Sequence, residues 1–132
     1  MEAYKGPLAA ARDFLSAANA KFRTVPPRDS FASAHYAVHS FVEALSKFRG
    51  RRGKIPGHGH VAQIAADLGV PGSLVDSIGT VEGKYGAVYG REIRLEEARH
   101  AIETANRIAR FVEKAIRPSG ERAVVRRRRS KA

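Results

Sequence analysis

Cysteine and tryptophan are absent from the 132 residues, and methionine occurs once. Without cysteine there is no thiol nucleophile, no zinc–thiolate site and no iron–sulfur ligation. No apolar run exceeds a few residues, so no segment reaches the ~20 residues a bilayer-spanning helix needs. Residues Met1 to Gly6 carry no basic flank followed by an apolar stretch, so no signal peptide is expected. These absences point to a cytoplasmic protein without a membrane partner. One domain is the natural size, and a chain this long buries a core without disulfides. Acid is also scarce: 24 Lys+Arg face 13 Asp+Glu, a formal charge of +11. Such a field favours anionic partners: nucleic acid, nucleotides, or an acidic protein or membrane surface.

The charge divides unevenly. Residues 117–132 hold seven cations and one acid, Glu121, leaving +6 there and +5 on residues 1–116. Pro118, Ser119 and Gly120 stop any helix ahead of this stretch, and Arg126, Arg127, Arg128 and Arg129 repel one another. The expectation is a helical domain over 1–116 followed by a disordered basic arm over 117–132. Those four arginines would seek phosphate with strongly salt-dependent affinity.

Helical periodicity dominates the body. Leu8, Ala11, Leu15, Ala18 and Phe22 recur at spacings of 3 and 4, predicting a helix over 7–23. Pro26-Pro27 should interrupt the chain, with Asp29 or Ser30 capping a second helix over 30–48. That helix aligns Phe31, Ala34, Val38, Phe41, Leu45 and Phe48 and stops at Gly50. The third long helix, over 95–116, aligns Leu95, Ala98, Ile102, Ala105, Ala109, Val112 and Ile116. Glu96 and Glu97 open it and Lys114 closes it, as the helix dipole favours, and Glu103 and Arg107 form an i,i+4 pair. Between them, 59–68 reads as a short helix ended by Gly69, and 73–81 as another. Gly83, Gly86 and Gly90 weaken any regular element beyond Val81, and one helix or two over 73–89 stays open. No alternating strand pattern occurs. The fold class expected is all-α: an up-down helical bundle of three long helices plus one or two short helices.

Several residues bear chemistry. His35 and His39 share a helix face, and Glu43 lies one turn on, yet interior packing suits them better than metal binding. No metal and no cofactor is expected. Arg49, Arg51, Arg52 and Lys54, with His58 and His60, crowd the approach to the short helix, whose free N–H groups would welcome a phosphate. The Gly57-x-Gly59 here lacks the preceding strand and third glycine of a dinucleotide fold. Arg94 and His100 suit an anionic phosphorane and an acid–base step, but six helical positions turn them about 120° apart. Tyr85 and Tyr89, one turn apart on a helix, could stack on a base.

The stretch Phe31-Ala-Ser-Ala-His35-Tyr36-Ala37-Val38-His39-Ser-Phe-Val-Glu-Ala44-Leu45, the basic loop, His58-Gly-His-Val61-Ala-Gln-Ile64 and the closing helix from Leu95 to Val112 together resemble the HEPN domain. The likeness runs over residues 7–116. It implies an all-α bundle, a homodimer, and a place in toxin–antitoxin or defence systems, where a nucleotidyltransferase-type protein is a candidate partner. Ribonucleases of that family carry Arg followed four to six residues later by His, ahead of the last helix. The matching stretch here, 82–92, has Lys84 and Tyr89 but no His, and only Arg94 and His100 meet the spacing, in a displaced place. The resemblance therefore implies a non-catalytic member binding an anionic nucleotide or nucleic acid. Arg51, Arg52, Lys54, His58 and His60 would meet phosphate and Tyr85 a base. An endoribonuclease using Arg94 and His100, and an interaction module for an acidic partner, are the alternatives.

Overall fold

A computed structural model describes residues 3–51, 60–86 and 92–117. Five helices follow in order among them: α1 (Lys5–Lys21), α2 (Pro27–Phe48), α3 (Val61–Asp67), α4 (Gly72–Gly86) and α5 (Leu95–Ile116). No strand occurs among the described residues. The protein is an all-α bundle. The basic arm lies almost entirely outside the described residues, which end at Arg117. No described helix is long and apolar enough to cross a membrane.

The long helices form where the apolar stripes lie, and α2 sits at the centre. Phe31, Ala34, Val38, Phe41 and Leu45 are all buried, but so are His35, Ala37, Val42 and Ala44, so α2 is covered on more than one face. Only Phe48 leaves the stripe; it is exposed and packs edge-on against Tyr4 at 5.1 Å between ring centroids. On α5 the stripe from Ala98 to Ile116 is buried while Leu95, at the helix start, is exposed. Small residues at Ala11 and Ala18 of α1 and Ala98, Ala101 and Ala105 of α5 are fully buried, which lets these helices approach closely.

Direction follows from the pairs across each seam. Arg12 meets Glu113, Asn19 meets Asn106, and Arg99 lies over the Phe22 ring, so α1 and α5 run antiparallel. Tyr4 against Phe48 and Phe14 against Tyr36 make α1 and α2 antiparallel too. Hence α2 and α5 run the same way, and the α3–α4 pair returns the chain between them.

Two helix starts differ from expectation. Pro27 occupies the first position of α2 instead of ending the chain's regular structure, because a missing N–H costs nothing there. Asp29 thus stands in the first turn, and Ser30 is buried inside the helix, so neither caps it. The helix α4 continues through Gly83 to Gly86, past the expected end at Val81. Through-space anchors outweigh the glycines: Val81 is buried, Lys84 Nζ pairs with Glu97 Oε2 at 2.8 Å, and Tyr85 packs on α2. Residues 72–86 are therefore a single helix. The expected Glu103–Arg107 pair is also replaced, since Arg107 reaches Ser73 Oγ at 3.3 Å instead.

Gly50 and Gly69 end α2 and α3 as the sequence predicts, each with positive φ, 81° and 86°. Space around Gly69 is open, so Gly69→Ala tests backbone strain alone. It should lower the unfolding free energy by about 1 kcal/mol, read from urea denaturation. An unchanged midpoint would mean the turn relaxes freely.

Candidate functional site

The start of α3, the end of α4 and the middle of α2 meet in one polar, aromatic corner. Helix α3 begins at Val61, and its first backbone N–H groups need acceptors. Glu82, on α4, supplies both: Val61 N–H donates to Oε2 and Ala62 N–H to Oε1, each at 2.9 Å. The sequence offers these N–H groups to a phosphate, but at Val61 and Ala62 a carboxylate of the chain itself takes that place.

One helical turn past Glu82 stands Tyr85. Its ring lies flat on the His35 imidazole, 3.7 Å between centroids and 9° between planes. Its hydroxyl shares a 2.7 Å hydrogen bond with the Tyr36 hydroxyl, and Tyr36 in turn packs on Phe14 at 5.4 Å. His35 is fully buried, whereas Tyr36 is exposed. The sequence reading offered Tyr85 to a base; one of its faces is already covered by His35. Tyr36 is the more exposed of the two tyrosines, and as His35's neighbour on the helix it points to a different side. No local pattern marks Glu82 or Tyr36, because both act across 20 or more residues of chain.

Arg51 is exposed just beyond α2, its N–H bonded to Ser46 O at 3.1 Å, while Arg49 donates to Leu68 O at 2.9 Å and ties α2 to the end of α3. His60 is exposed immediately before α3. Arg52, Lys54 and His58, and likewise Tyr89 and Arg126 to Arg129, lie outside the described residues. His39 is half-buried one turn beyond His35, and Glu43 pairs with Lys47 at 3.7 Å. Among the described residues no three His, Asp or Glu side chains are grouped to hold a metal.

Arg94 and His100 are not brought together. Arg94 immediately precedes α5, exposed, with its guanidinium 3.9 Å from Glu96 and its backbone N–H bonded to Glu97 Oε1 at 3.0 Å. A guanidinium has no lone pair to offer the helix start, so only the glutamate half of a capping box exists. His100 is half-buried a turn and a half further on, about 9 Å along the axis. In this structure the two side chains do not meet: about 9 Å of axis and about 120° of rotation separate their positions.

At the opposite end of the bundle a groove of about 480 Å³ separates the start of α1 from the end of α5. Tyr4, Leu8 and Ile116 line it together with Lys5, Arg12, Glu113 and Arg117. Hydrogen bonding to Glu113 raises the Arg12 guanidinium further above its ordinary value.

No family model matches the chain, and no curated protein matches it. The fold has a relative among solved structures. The chain is similar to the protein TT1696 from Thermus thermophilus, with a TM-score of 0.73 and 23% sequence identity. The likeness covers 86% of this chain and 98% of that one. At that identity it is the helical architecture that is shared.

Proposed function

We propose that the protein is a HEPN-like helical bundle that binds an anionic nucleotide or nucleic acid without cleaving it. The observation that carries this reading is the α2–α3–α4 corner. There an exposed tyrosine, Tyr36, is held by a hydroxyl bond to Tyr85 close to where the basic segment 51–60 enters α3. A base can stack on the Tyr36 ring while Arg51 and His60, with Arg52, Lys54 and His58 of the same segment, meet phosphate. Residues His35 and Glu82 hold the corner in shape. The all-α bundle is the fold class that the HEPN resemblance implies, and the same resemblance implies a homodimer and a toxin–antitoxin or defence setting.

Titration with a mononucleotide and with a short RNA at low salt tests the reading. Binding of either is expected, and Tyr36→Ala should weaken it at least about fivefold, the low end of base-stacking effects. No binding at any salt would overturn it in favour of the acidic-protein interaction module. The same RNA should stay intact, and cleavage abolished by Arg94→Ala/His100→Ala would make the protein an endoribonuclease instead. Light scattering should give about twice the chain mass of 14.4 kDa.

A further inference from the structure

The last three turns of α5 carry Arg107, Arg110, Lys114 and, just past the helix, Arg117. At 100° per residue these four lie within an arc of about 80° and along about 15 Å of axis. Arg107, Arg110, Lys114 and Arg117 are all exposed. The acid in this stretch, Glu113, is turned off the arc onto α1, where it takes Arg12 Nε at 2.7 Å. Neither Arg110 nor Arg117 has an ion-pair partner among the described residues. The helix dipole favours cations only in the final turn, so it explains Lys114 but not Arg107 or Arg110. Like charges three and four positions apart also weaken a helix. Arg110 and Arg117 thus cost the helix something and gain no ion pair in return, whereas Arg107 donates to Ser73 Oγ.

We infer that this face of α5 is a phosphodiester track: it holds the backbone of a nucleic acid, independently of base sequence. The inference rests on the nucleotide or nucleic-acid reading above and deepens it by naming a polymer and a second contact surface. The face leads straight into the chain beyond Arg117, whose sequence holds six more cations, and Arg117 also stands at the rim of the groove that contains Lys5. Positive charge thus runs along about 15 Å of α5, and a backbone lying on it releases counterions with each phosphate met. The corner around Tyr36 reads a nucleotide; the α5 face grips the strand.

Salt dependence separates the two. For the full chain and an Arg110→Gln/Arg117→Gln variant, affinity for a single-stranded oligonucleotide and for a duplex is measured across salt concentrations. The slope of log affinity against log salt should become shallower by about 1.4 for the single strand or about 1.8 for the duplex, whichever binds. Lys21→Gln/Arg28→Gln, which removes the same charge near the other end of the bundle, should leave the slope unchanged. Mononucleotide affinity should be unaffected in both variants, and helical circular dichroism confirms folding. A slope equal to wild type in the α5 variant, or an equal drop in the control, overturns the track. Mononucleotide binding without polymer binding overturns the track and leaves the corner standing, whereas binding of neither overturns both.

Discussion

Phe41→Ala should lower the unfolding free energy by about 3–5 kcal/mol, the usual range for deleting a buried phenyl group. Phe41 is wholly buried in the middle of α2, the helix that both α1 and α5 pack against. Its loss leaves a cavity where two seams converge, and rigid helices on both sides limit how far the walls can collapse. With a urea dependence of about 1–3 kcal/mol per molar, the midpoint should fall by roughly 2 M. Phe48 provides the comparison. It lies on the same stripe but is exposed, touching Tyr4 by its edge, so Phe48→Ala should cost only about 1 kcal/mol. Equal losses at the two positions would mean that the core is not centred on α2.

Glu82→Ala should cost about 2–3 kcal/mol, since hydrogen bonds to a charged acceptor each contribute more than neutral ones. Two N–H groups at the start of a seven-residue helix lose their acceptor at once, and such a short helix has little stability of its own. Hydrogen exchange at Val61 and Ala62 should quicken more than exchange in α5. Glu82→Gln, which keeps one carbonyl oxygen, should recover part of the loss. A Glu82→Ala protein within about half a kcal/mol of wild type would show that water serves these groups equally well.

Much of this architecture is legible in the sequence, and the reason is local. The apolar residues of α1, α2 and α5 recur at the helical period, so each helix announces its own buried face. Gly50 and Gly69 mark helix ends because few other residues accept a positive φ there. What cannot be read is whatever depends on a distant partner. The glycines near Gly83 argue against a helix until Lys84 finds Glu97 and Tyr85 finds His35. The start of α3 looks open to phosphate until Glu82 arrives from α4. Tyr36 becomes a candidate only once Tyr85 is seen to hold its hydroxyl.

The α1–α5 seam has a further consequence. Its three rungs differ in kind: an ion pair at Arg12–Glu113, an amide pair at Asn19–Asn106, and a guanidinium over a ring at Phe22–Arg99. Each is solvent-facing and contributes little by itself. Their order, however, matches only one alignment. Sliding α1 by one turn in one direction sets Arg12 against Arg117; sliding it in the other sets Arg12 against Ala109 and strands Glu113. Small buried alanines would permit such a slip, because they offer few distinctive knobs. The polar rungs act as a code that tells two smooth helices where to stop.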